Sequence, residues 1–192
     1  MCKLLCGVIL WMVISLPSAF AQSVNFQLKS SPNLSFSFNT FAKYQQGITM
    51  YNVMQLNVEA VGTQWDLYVG TSTQIPGNWD VAQSYHSNYG HPNPPVNILK
   101  LRVSNMNNTS RLGNNFVSLT DIATPLYIIG SSTTPDATTP CSSPGAPTNV
   151  AGSYLTNPKC YKFNVDYKLV PGTTYRPGLY NLRVDFWIVA DL

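Results

Sequence analysis

Two stretches near the C-terminus decide the fold class: Tyr161-Lys-Phe-Asn-Val-Asp-Tyr-Lys-Leu169 and Leu182-Arg-Val-Asp-Phe-Trp-Ile-Val-Ala-Asp-Leu192. In the first, Tyr161, Phe163, Val165, Tyr167 and Leu169 recur at every second position. In the second, Leu182, Val184, Phe186, Ile188, Ala190 and Leu192 do the same, with Asp185, Trp187 and Asp191 on the opposite side. A period of two places the apolar set on one face of an extended ribbon, as in a half-buried strand. Pro171-Gly172 separates the two runs, as a turn would.

The same pattern extends back along the chain. Val24, Phe26 and Leu28 alternate with polar residues, as do Leu34, Phe36 and Phe38 after a Ser-Pro-Asn break. Met54, Leu56, Val58 and Ala60 follow the turn signal at Gln46-Gly47. The glycine-containing link at Gly62 then leads to Trp65-Asp-Leu-Tyr-Val-Gly, so that 54–60 and 65–71 read as a β-hairpin. Val96 to Val103, Phe116 to Leu119 and Leu126 to Ile129 are further short strands. Gln74 to Pro95, with Pro76-Gly77 and Asn93-Pro94-Pro95, reads as a long ordered loop or loop pair. No stretch has a convincing helical period, apart from one possible turn at Leu119 to Ala123. About eight or nine short strands with polar turns predict an all-β, immunoglobulin-like, two-sheet antiparallel sandwich.

Residues 1–21 combine a basic start at Lys3, an apolar run from Leu4 to Leu16 and the small-residue site Ala19-Phe20-Ala21. That is the organisation of a cleavable export signal, and the run is too short to span a bilayer comfortably. Residues 22–192 are then expected to form one domain. No second long apolar run follows, so no transmembrane helix is expected in the mature chain. Its only two cysteines, Cys141 and Cys160, most simply pair with each other in an oxidising compartment. Their bond would tether a Ser/Thr/Pro/Gly-rich loop at about 130–160 and restrict the unfolded chain by about 3 kcal/mol.

Charged residues make up only 10% of the chain, and its 11 cations are scattered. No basic run is dense enough to neutralise consecutive phosphates, which argues against nucleic acid as a partner. Catalytic chemistry is equally thinly supplied. Glu59 and the aspartates Asp66, Asp185 and Asp191 fall on polar strand faces, where a solvated role is the expectation. His86 and His91 share a loop, and Asp80 could join them around an ion, but solvated loop histidines are the simpler reading. No nucleophile elbow, phosphate loop or metalloprotease motif occurs, so no catalytic residue, metal or cofactor is assigned. Trp79, Tyr85 and Tyr89 remain as a possible ligand-binding set: they either stack on sugar rings or anchor their loop, and the anchor is favoured.

The C-terminal stretch Pro171-Gly-Thr-Thr-Tyr-Arg-Pro-Gly-Leu-Tyr-Asn-Leu, running into the last strand, resembles the end of bacterial fimbrial subunits. It is also similar to spore-coat-U-like secreted domains, and the general pattern to small exported β proteins of Bacteroidota. The resemblance implies a secreted envelope or surface protein with a structural or adhesive role, acting through strand edges and loops. Its partners would be other surface proteins or copies of itself. Val24, Phe26 and Leu28 would be the segment exchanged between chains, as in strand addition to an open sheet edge. Asp191 and the late cysteine pair depart from the fimbrial pattern. The alternative expectation is a secreted carbohydrate- or ligand-binding module using the aromatic loop.

Overall fold

The computed structural model describes residues 22–30, 33–85, 89–107, 110, 112–131 and 149–191, with Ser30 and Asp191 described for backbone only. The expected export signal and Cys141 lie outside these residues. Among the described residues eleven strands follow in chain order: β1 (Ser23–Ser30), β2 (Ile48–Val61), β3 (Gln64–Ser72), β4 (Asp80–Ser84), β5 (Leu99–Ser104), β6 (Val117–Ser118), β7 (Leu126–Ile129), β8 (Gly152–Ser153), β9 (Lys162–Leu169), β10 (Gly178–Asn181) and β11 (Arg183–Asp191). The larger sheet has the order β1-β2-β9-β5-β6, with β8 also pairing to β2. A three-stranded sheet has the order β11-β3-β7, and β10 and β4 make a separate two-stranded ribbon. Every strand ladder is antiparallel.

The two main sheets form the expected sandwich. Leu56 and Val58 of β2, Leu101 and Val103 of β5, and Phe163 and Val165 of β9 have no solvent exposure. They share one apolar cluster with Trp65, Leu67 and Val69 of β3 and with Ile128 and Ile129 of β7. Val184, Phe186 and Ile188 of β11 close its flank. Apart from the consecutive Ile128 and Ile129, these are the alternating apolar positions of their strands, so hydrophobic burial at about 25 cal/mol per Å² selects the register.

The structure corrects several local expectations. Segments 54–60 and 65–71 are not a hairpin, because β2 pairs with β1 and β9 while β3 pairs with β11 and β7. Gly62, at φ 66°, turns the chain from one sheet into the other, so the two strands face each other through side chains. Leu34, Phe36 and Phe38 lie in extended chain outside any strand, although all three rest on the core. A short helix, α1 (Phe41–Gln46), follows them, with the Thr40 side chain accepting from the Lys43 N–H at its start. Six residues are too few for a period to show. No helical turn forms at 119–123, where the Asp121 carboxylate accepts from the Ala123 N–H and the Ile122 N–H donates to Thr71 O. The second helix, α2 (Pro158–Tyr161), is a single turn leading into β9.

Tyr167 carries the clearest electrostatic consequence of the fold. It sits on the inner face of β9 with 2% exposure. Burial pushes its phenol far above the ordinary value. The folded state therefore holds the proton more tightly than the unfolded chain. This contribution to stability is complete below about pH 10, the ordinary tyrosine value, and is lost as pH rises beyond it. Denaturant titrations across the alkaline range are expected to show a steep loss of stability in the native protein. Tyr167→Phe should flatten that loss.

Candidate binding surfaces

Among the described residues the expected aromatic loop separates into an interior and an exterior part. Trp79 is 9% exposed and belongs to the apolar core, and its backbone N–H donates to Pro94 O at 2.8 Å. Its ring is a loop anchor and has no open face for a ligand. Tyr85 and Tyr89, at 45% and 87% exposure, lie outside. The segment expected to be all loop contains β4, which pairs with β10 through Asn181↔Asp80 and Gly178↔Ser84.

Beyond β4 the ribbon is fastened by main-chain bonds. The Tyr85 N–H donates to Pro177 O, the His91 N–H to Thr174 O and the Arg176 N–H to His91 O. Arg176 Nε donates to Gly90 O at 3.0 Å, and Tyr180 Oη to Arg176 O at 2.7 Å. Burial raises the Tyr180 phenol, partly offset by the Arg176 charge. Asp80 is occupied in accepting from the Gln74 N–H at 2.8 Å, which shapes the preceding turn. His86 lies outside the described residues.

The segment expected to exchange between chains, with Val24, Phe26 and Leu28, is β1. It pairs along its full length with β2, from Ser23↔Val61 to Ser30↔Met54, and forms one edge of the larger sheet. Val24 and Phe26 rest on the core, whereas Leu28 is 47% exposed. The Tyr154 hydroxyl donates to Gln27 Oε1 from the outer side.

Cys160 is fully buried at the end of α2, and Asn107 Nδ2 donates to its sulfur at 3.4 Å. Asp66, expected on a solvated face, is 8% exposed instead. Gly130 lies directly on its carboxylate, where any Cβ would collide with Oδ1. Asp185 accepts from Ser72 Oγ at 2.6 Å and from Arg183 Nε at 2.7 Å. Glu59 stays half-exposed on β2.

The larger sheet carries a feature that periodicity did not disclose. The β2–β9 ladder is interrupted between Met50 and Met54. Within that bulge Asn52 has φ 50°, a left-handed conformation that asparagine tolerates better than most residues. Its N–H donates to Asp166 Oδ1 at 2.7 Å. Arg102 Nε and Nη2 both meet Asp166 Oδ2, at 2.8 and 2.5 Å. The guanidinium lies 4.9 Å from the Phe116 ring and 5.6 Å from Tyr51, which is 64% exposed. Only Asn52, a polar residue between Tyr51 and Val53, could have hinted at this bulge, because its other partners come from three other segments.

Among the described residues no helix is long and apolar enough to cross a membrane, and no three His, Cys, Asp or Glu side chains cluster as ion ligands. The sequence matches no known protein family and no curated protein.

Trp79→Ala is expected to destabilise the protein by about 3–5 kcal/mol, since it empties a core position. Tyr89→Ala should stay within about 0.5 kcal/mol of wild type, as exposed substitutions do. Thermal melts of the two variants check the division between anchor and surface.

Proposed function

We propose that the chain is an exported, non-catalytic structural or adhesive component of a bacterial envelope or surface, assembling through its strand edges and loops. In this reading residues 1–21 direct export and are removed, and Cys141 and Cys160 form a disulfide that ties down the Ser/Thr/Pro-rich segment. The full burial of Cys160 suits a structural sulfur in an oxidising compartment. The similarity of the last strand to fimbrial and spore-coat-U-like chains points the same way.

The observation that carries the proposal is the position of β1. It is an edge strand held by a single ladder, and only Val24 and Phe26 of its apolar residues rest on the core. A β1 from a second copy could make the identical bonds to β2. Exchange would therefore conserve every contact of the strand itself and alter only its connection to β2. Strand addition at an open edge needs no catalytic group and gives affinity through main-chain bonds.

The test uses Asn25 and Glu59, which lie directly opposite each other in the β1–β2 register. Directly paired strand residues are close enough for an engineered disulfide. The Asn25→Cys, Glu59→Cys variant should close within one chain in dilute solution. At high protein concentration it should give a ladder of chain-linked species on non-reducing gels. Bonds that close within single chains at every concentration would exclude strand exchange.

A further inference from the structure

The outer face of the larger sheet has a row of four side chains set by register alone. Thr49 of β2 pairs with Lys168 of β9, Lys168 with Lys100 of β5, and Lys100 with Ser118 of β6. Residues directly opposite in antiparallel strands share a face, so the row reads Thr-Lys-Lys-Ser across four strands. Their neighbours Leu169, Leu99, Leu101 and Leu119 are buried, which turns this row outward. Two lysines placed opposite each other repel, and such a pairing lowers stability. Among the described residues neither ammonium has a carboxylate partner. Asp166, the nearest acid on β9, is already held by Arg102 and the Asn52 N–H.

The next row of the same face supplies a different chemistry. Tyr51 and Phe116 flank the Arg102 guanidinium, and Tyr51 keeps 64% of its surface open. An exposed aromatic ring thus stands one row from two unneutralised ammoniums and two hydroxyls. A simple phosphate would use the ammoniums and ignore the ring, and a neutral sugar would use the ring and leave the charges unmatched. A carboxylated pyranose uses both: its apolar face stacks on an aromatic ring while its carboxylate takes charge-assisted bonds from lysine.

We infer that the Thr49-Lys168-Lys100-Ser118 row and Tyr51 form a binding surface for an acidic polysaccharide, with uronate units as its recognised group. The charge complementarity resides in the lysine pair, and the ring selects sugar over other oxyanions. This surface lies on the outer face of the sheet, while β1 lies at its edge. Binding to a single copy therefore neither needs nor tests strand exchange.

The experiment measures binding of the full chain to polygalacturonate, to the neutral glucan amylose, to polyphosphate and to anionic phospholipid vesicles. The wild type should bind polygalacturonate in a salt-sensitive manner and amylose negligibly. The Lys100→Ser, Lys168→Ser double variant should lose affinity about tenfold or more, the loss of one or two charge-assisted contacts. Its melting temperature should stay equal or rise, because a like-charge pair is relieved. Tyr51→Ala should weaken polygalacturonate binding while leaving any polyphosphate binding unchanged. Lys29→Ser, a cation on β1, should bind as wild type. The inference is overturned by any of four results: unchanged binding in the lysine double variant, equal loss in Lys29→Ser, equal affinity for amylose, or binding confined to polyphosphate or vesicles.

Discussion

The constraint on which the structure depends is the crossing at Gly62, where β2 leaves the larger sheet and β3 enters the smaller one. Because β2 and β3 face each other across the core, Leu56 and Val58 share the interior with Trp65, Leu67 and Val69. A hairpin would have set these residues side by side in one layer, leaving each apolar face in need of another cover. The crossing supplies that cover from the adjacent length of chain. It also makes β3 the centre of its sheet, between β11 and β7.

That central position explains why β3 is buried on both faces. Inward, it carries apolar side chains. Outward, Tyr68 lies near-parallel to Trp187 at 6.4 Å and tilted against Tyr127 at 5.4 Å. Gly70 lies under Ile122, so closely that a Cβ would sit 2.5 Å from Ile122 Cα. Glycine there is a packing requirement, not a turn signal. The adjacent Thr71 is also fully buried, and its hydroxyl donates to Thr120 O.

The larger sheet solves a different problem on its outer face. Asp166 side-chain exposure is only 5%, so its charge must be met within the fold. Arg102 and the Asn52 N–H meet it together, and the β2 bulge is what brings that N–H within reach. The bulge also lifts Tyr51 onto the guanidinium. One buried charge thus organises a bulge, a left-handed asparagine and a cation–aromatic stack, and among the described residues it leaves the two neighbouring lysines without an anion. The proposed partners of the molecule follow from this division. Its edge offers main-chain groups to another strand, and its outer face offers cations and an aromatic ring to a polyanion.

Alternation within single segments was enough to place β1, β9 and β11 and the all-β sandwich, with the inward sets of β9 and β11, whereas Leu28 of β1 turned out exposed. Such signals are local, because side-chain direction along a strand depends only on odd or even position. An anchor role was expected of Trp79, Tyr85 and Tyr89 alike, and only the tertiary structure shows that Trp79 is buried while the two tyrosines are exposed. What the sequence could not decide is which strand lies beside which. A tight glycine link serves a hairpin or a crossing equally well, and only the competition for core area between two sheets chose the crossing. The lysine pair, the Asp166 network and the cover over Asp66 arise for the same reason: each joins residues far apart in the chain, and strand order alone makes them neighbours.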